Sequence, residues 1–245
     1  MLNRLLVAGA LSALAFASAA AVAQDATEPA PAPAPAATET AAPAPVATDD
    51  IEAKRTFGPV DFDMTHDPEN ILLLDLSNGK RVAIRLMPTW APLHVERIKT
   101  LTRSGFYDGV KFHRVIEGFM AQTGDPTGTG RGGSSLPDLK AEFNPMPHLR
   151  GTVSMAHAAS DDSANSQFFI TFYPRFSLDR KYTNFGRVIS GMDAVDAIHR
   201  GEPPADPTIV LQASIAADGK PQAIAPAPVP VEAPVTADML NAPQK

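Results

Sequence analysis

The chain has 245 residues, a formal net charge of -6, 24 prolines and no cysteine. That length accommodates one well-buried domain with tails, or two small domains. The lack of cysteine excludes disulfides, thiolate catalysis, cysteine-bound zinc and a lipidated N-terminal cysteine together, and the scattered Lys and Arg give no nucleic-acid face.

Met1 to Ala23 reads as a secretory signal peptide. Arg4 supplies the positive start, and Leu5 to Ala20 is a short apolar run broken by Ala, Gly and Ser. Ala21-Val22-Ala23 offers the small-x-small pattern of a cleavage site ahead of Gln24-Asp25. The competing reading, an uncleaved membrane anchor, fits the broken run less well. The expectation is export, to a bacterial periplasm, with no membrane insertion after cleavage. Residues 24–56 follow as an Ala/Pro-rich stretch typified by Pro29-Ala30-Pro31-Ala32-Pro33, which favours extended polyproline-like chain and cannot fill a core. Residues 218–245 repeat that style in Ala225-Pro226-Ala227-Pro228. Both flanks are expected to be disordered, leaving a domain over 57–217.

Within that domain, Ile71 to Leu76 is an apolar strand, and Asn78-Gly79 is a strong two-residue hairpin turn signal. Arg81 to Leu86 follows, with Val82, Ile84 and Leu86 on one face. Pro92 suits a first helical turn, after which Val95, Ile98 and Leu101 recur at helical spacing until Gly105. Lys111–Ile116, Phe119–Gln122, Thr152–Ala156, Gln167–Phe172 and Phe185–Ile189 read as strands. Met192, Val195 and Ile198 mark a second helix, and Thr208 to Ile215 a last strand. Many strands, two helices and Gly-rich connections predict a mainly β protein, a closed barrel with helices at its ends.

Hydrolytic and metal chemistry find no support, since neither a Gly-x-Ser-x-Gly elbow nor a His-Glu-x-x-His helix occurs and the six histidines are dispersed. Gly128, Gly130 and Gly133 match a dinucleotide fingerprint, but Ser134-Ser135-Leu136-Pro137 continues as loop where a helix would have to open. A flexible glycine loop is the better reading. Two blocks remain. Phe112 to Gln122 sets Arg114 and Gln122 among apolar side chains, with Met120 and Gln122 on one strand face. Ser154 to Ala158 and Asn165 to Ile170 form a second block, in which Gln167 and Phe169 repeat that arrangement. Spacing alone leaves two readings open, a core with ordinary edge glutamines or a binding site. Such a site suits chemistry in which no covalent bond breaks, and rotation about a prolyl peptide bond is the obvious candidate.

These blocks resemble the signature segments of the cyclophilin family of peptidyl-prolyl cis-trans isomerases. The resemblance extends over about Phe57 to Ala217 and takes in Ala91-Pro92, Phe106-Tyr107-Asp108-Gly109, the glycine loop, Ser177-Leu178-Asp179 and Asn184-Phe185-Gly186-Arg187-Val188. It implies an eight-stranded antiparallel barrel capped by two α-helices, with an active groove on the outer face. It also implies roles by position. Arg114 matches the catalytic arginine; Phe119, Met120, Phe169 and Leu178 match the walls of a proline pocket. Gln122 and Gln167 match groups that position the peptide, Ala156 and His157 match the backbone that clamps it, and Tyr182 stands where the pocket histidine is usual. Ser177 replaces a tryptophan that many eukaryotic members carry, with Phe176 one residue earlier, and His157 replaces a common asparagine. The missing tryptophan implies weak binding of the cyclic peptide cyclosporin. No cofactor is implied. The expected partners are proline-containing unfolded or flexible polypeptides, and the expected state is a monomer. A peptide-binding chaperone using the same groove is the rival reading, and Arg114 argues against it because a pure binder has no need of a polarising cation. Ala-Pro steps of the flanking segments are further candidate occupants of the groove, competing in cis.

Overall fold

The computed structural model describes residues 55–224. The signal-peptide segment, nearly all of the 24–56 stretch and residues 225–245 lie outside the described residues. At both ends the ordered chain runs past the limits expected from composition. Arg55 donates from Nε to Trp90 O at 2.9 Å and from Nη2 to the carbonyls of Glu142 and Phe143. At the other end, Ala223 N donates to the buried Asp75 carboxylate at 2.8 Å. Composition gives no sign of these anchors, because each is a single side chain meeting a backbone group far along the chain.

The hairpin forms where the turn signal sits. Gly79 adopts φ 81°, a left-handed value that favours glycine, and joins β1 (Ile71–Leu76) to β2 (Arg81–Leu86). Asp75 faces Arg81 in the register, and their side chains pair at 2.6 and 2.9 Å. Alternation then sends Leu72, Leu74 and Leu76 into the main core with Val82, Ile84 and Leu86. On the opposite face Ile71, Leu73 and Ala83 form a smaller cluster under Ile189 and Ala216. Because β1 is covered on both faces, its sequence is apolar without a break from Ile71 to Leu74.

Six more strands complete one antiparallel sheet: β3 (Arg114–Ile116), β4 (Met120–Thr123), β5 (Thr152–Met155), β6 (Phe168–Thr171), β7 (Asn184–Ser190) and β8 (Val210–Ile215). Their order is β3-β4-β6-β5-β7-β2-β1-β8. The expected closed barrel is corrected here. The sheet curls into an open half-barrel, and its edges β3 and β8 share no ladder. Isolated bridges Lys111↔Ile209 and Val115↔Gly201 span that seam instead. The reason is visible in the stretch expected to be strand from Lys111. Between the two bridges one chain advances from Lys111 to Val115 while the other runs from Ile209 back to Gly201, twice as many residues, so the register is lost and no continuous ladder can form.

Helix α1 (Pro92–Arg103) lays Val95, Ile98 and Leu101 on the core. Its N-cap residue Ala91 has no capping side chain; Glu142 reaches in from a distant loop to accept from Leu93 N and His94 N at 3.2 and 3.0 Å. Helix α2 (Met192–Asp196), shorter than the spacing of Met192, Val195 and Ile198 predicts, buries Ala194 and Val195. Trp90 is 2 % exposed and belongs to the packing before α1.

Candidate active site

The site is a row of cross-strand neighbours. Arg114 on β3 faces Gln122 on β4, Gln122 faces Phe169 on β6, and Phe169 faces Ser154 on β5. Directly opposed residues project from the same face of a sheet, so the register alone gathers side chains 55 residues apart in sequence. Nine of the ten residues expected at the site, Arg114, Phe119, Met120, Gln122, Ala156, His157, Phe169, Leu178 and Tyr182, line one cleft of about 340 Å³. The tenth, Gln167, lines an adjoining cavity of about 530 Å³ that shares Gln122, Ala156 and His157 with the first.

Polar contacts run along the row as a chain. Gln167 Nε2 donates to Gly132 O and Gly130 O at 2.8 and 3.2 Å, which turns its oxygen toward Gln122. Gln122 Nε2 donates to that oxygen at 2.9 Å and offers its own oxygen to Arg114 Nη1 at 3.4 Å. Arg114 Nε donates to Glu202 Oε2 at 2.8 Å. Two of the guanidinium donors are thus engaged, and the others have no hydrogen-bond partner among the described residues. The walls are aromatic. The Tyr182 ring meets Phe169 edge-on at 5.4 Å and His157 at 4.6 Å, and the Arg175 guanidinium lies 5.3 Å from the centre of the Phe119 ring. The His157 ring nitrogens lie 2.9 Å from Ala158 O and Lys181 O, which ties the clamp segment to the turn bearing Tyr182.

Behind the walls lies support that sequence reasoning missed. His148 is stacked on Phe169, with planes 18° apart. Its Nδ1 is 2.8 Å from Asp179 Oδ1 and its Nε2 is 2.9 Å from Ser154 Oγ. The order Ser-His-Asp is that of a hydrolase relay, yet Ser154 is 0 % exposed and no substrate carbonyl can reach it. The relay joins the turn after Leu178 to β5 beneath Phe169. Burial holds His148 below the ordinary histidine range, with Asp179 pulling the other way. His113, also buried, is lowered for the same reason against the pull of Asp125.

The glycine loop is not the flexible loop expected. Asp125, buried at its base, accepts from the backbone N–H groups of Thr127, Thr129, Gly130 and Gly132 at 2.6 to 3.1 Å. Burial pushes its carboxyl upward, but these hydrogen bonds and that from the Thr127 hydroxyl outweigh it and hold the pKa at about 2. A Cβ at Gly132 would collide with Asp125 Oδ1, so the close approach of that backbone requires glycine. No helix follows Gly133, and the dinucleotide reading fails as expected. Asp125-Pro126-Thr127-Gly128-Thr129 carries a turn signature that could have revealed the anchor. Nothing local pointed to Glu202 or to the His148–Asp179 pair.

Comparison with known proteins agrees with this geometry. Residues 72–216 match the family described as cyclophilin type peptidyl-prolyl cis-trans isomerase/CLD. A probable peptidyl-prolyl cis-trans isomerase from Brucella suis is 46% identical over 181 residues, covering 67% of this chain and 92% of its own. Among solved structures, the cyclophilin AquaCyp293 from Hirschia baltica matches with a TM-score of 0.58 and 31% identity, over 62% of this chain and 76% of its own. A Cryptosporidium parvum cyclophilin type isomerase, crystallised in the presence of the dipeptide Ala-Pro, matches with a TM-score of 0.55 and 30% identity, over 59% and 98% of the two chains.

Proposed function

The chain belongs to the cyclophilin-type peptidyl-prolyl cis-trans isomerases, and we propose that Arg114 is the group with which it speeds rotation about Xaa-Pro bonds of unfolded or flexible polypeptides during the folding of exported proteins. The observation that carries this reading is the Arg114 guanidinium lining a cleft beside the apolar side chains of Phe119, Met120, Phe169 and Leu178.

Amide resonance opposes rotation with a barrier of roughly 18–20 kcal/mol. In the twisted transition state that resonance is lost, and the proline nitrogen becomes pyramidal with a lone pair. A guanidinium N–H directed at that lone pair stabilises the twisted state more than the planar one, and this differential is what accelerates the step. The apolar walls hold the proline ring while the acyl side turns. Gln122 and Gln167 present amides to the peptide, and the Ala156–His157 backbone lies beside it. The signal-peptide-like pattern of residues 1–23 favours placing the work in a periplasm, where unfolded chains emerge from export.

Exchange between cis and trans Ala-Pro peptide, followed by NMR with the mature protein and its Arg114→Ala variant, tests the reading. Accelerated exchange should fall by about two orders of magnitude in the variant, as removal of one electrostatic donor does elsewhere. Peptide line broadening without faster exchange in either protein would mean that the groove binds and does not catalyse, and the chaperone reading would replace this one.

A further inference from the structure

Glu202 lies 88 residues from Arg114 in sequence and meets it through a 2.8 Å charge-assisted hydrogen bond. Surface ion pairs between long side chains usually contribute little, because ordering both chains offsets the attraction. This one differs in its backbones. Val115 N donates to Gly201 O at 2.8 Å and Gly201 N donates to Val115 O at 2.9 Å, so the residue after Arg114 and the residue before Glu202 are locked together across the seam of the sheet. Gly201 has φ 144°, and a Cβ there would overlap Pro204 Cα and Pro203 O. Two prolines follow Glu202 and stiffen its loop further. The carboxylate is therefore presented at a set place, and much of the usual ordering cost is already met by the fold.

The other contact on the guanidinium is weaker, the 3.4 Å approach of Arg114 Nη1 to Gln122 Oε1. With its side chain 42% exposed, Arg114 has room to swing away from the cleft. Two consequences of the carboxylate oppose each other. It fixes the Nε edge of the guanidinium, and it offsets part of the positive charge. The charge effect is screened, since the Glu202 side chain is 51% exposed, whereas the orientation effect is lost entirely when the contact goes. Orientation should win.

We infer that Glu202 is a positioning residue, holding Arg114 by its Nε edge so that the remaining guanidinium donors face the proline nitrogen. The inference rests on the reading of Arg114 as the polarising group. In the mature protein, Glu202→Ala should slow catalysed Ala-Pro exchange at saturating peptide by about three- to tenfold, with the peptide Kd nearly unchanged. Glu202→Gln, which keeps an acceptor oxygen, should recover most of that rate. The Nε–H resonance of Arg114 should shift in the Ala variant and stay near its original place in the Gln variant. In an Arg114→Ala background, Glu202→Ala should cost nothing further, since the two act as one unit. An Ala variant that is folded and as fast as, or faster than, the parent would overturn the inference. So would an equal loss in the Arg114→Ala background. If Arg114→Ala itself keeps full activity, the reading of Arg114 is what fails; if it is inactive while Glu202→Ala is normal, only the role of Glu202 falls.

Discussion

Phe176 is 63% exposed and does not line the cleft, and Ser177 beside it is exposed as well. Neither residue closes the outer wall beside Leu178, so the pocket lacks the area and the N–H donor that an indole there would offer a large cyclic ligand. Cyclosporin should inhibit weakly, and Ser177→Trp should lower its inhibition constant by at least about tenfold, the equivalent of about 1.4 kcal/mol. The catalysed rate on Ala-Pro peptide should stay within about twofold, since Ser177 does not line the cleft that holds the Arg114 row. Nanomolar inhibition of the parent protein in a titration would show that the wall is complete without tryptophan. At this scale the sequence was informative wherever a side chain acts by its type and place in a strand, as Arg114, Gln122 and Phe169 do. It was silent on Glu202 and His148, whose partners lie 88 and 31 residues away.

The loop from Asp125 to Gly133 acts as an element although it holds no regular structure. One carboxylate gathers four backbone N–H groups, and the loop so shaped returns the carbonyls of Gly130 and Gly132 to Gln167. Asp125→Ala would strand those donors and free Gln167 to turn. The variant should lose about 2 kcal/mol of stability in urea unfolding. Its peptide Kd should rise by several-fold in NMR titration, because Gln167 no longer orients Gln122. A variant with parent-like Kd would mean that Gln167 holds its place without the loop. Strands and the hairpin were legible because their signals are local: β1 and β2 run over the residues expected, since alternation and Asn78-Gly79 specify them within ten residues. Where the register across the seam is lost, as between Lys111 and Val115, periodicity predicted more strand than formed.

For the whole molecule, buried titratable groups set the response to acid. His113 and His148 both have folded pKa values below the ordinary range, chiefly through burial. Unfolded histidines take up protons near pH 6.5 while these stay neutral in the folded state. Their contribution to stability is therefore complete above about pH 6.5 and is lost as pH falls through that value toward the folded ones, at up to about 1.4 kcal/mol per pH unit for each proton. Asp125, held at about 2, adds a second loss between the ordinary carboxylate value near 3.9 and that lower one. Urea midpoints measured from pH 8 to pH 3 should decline in two stages, and His148→Gln should flatten the first. A flat profile above pH 5 would mean that both histidines are protonated as easily folded as unfolded.

Periodicity and turn residues determined a mainly β domain with two helices, and the order of its motifs carried the resemblance to the cyclophilin family through which the cleft residues could be named. These are properties of short segments, and the register of paired strands carries them into space without further information. Tertiary structure alone decided that the sheet stays open between β3 and β8, that Glu142 caps α1, and that Glu202 and His148 stand behind the groove. Each depends on where distant backbones come to rest, and a lone carboxylate or imidazole has no period by which its partner could be read.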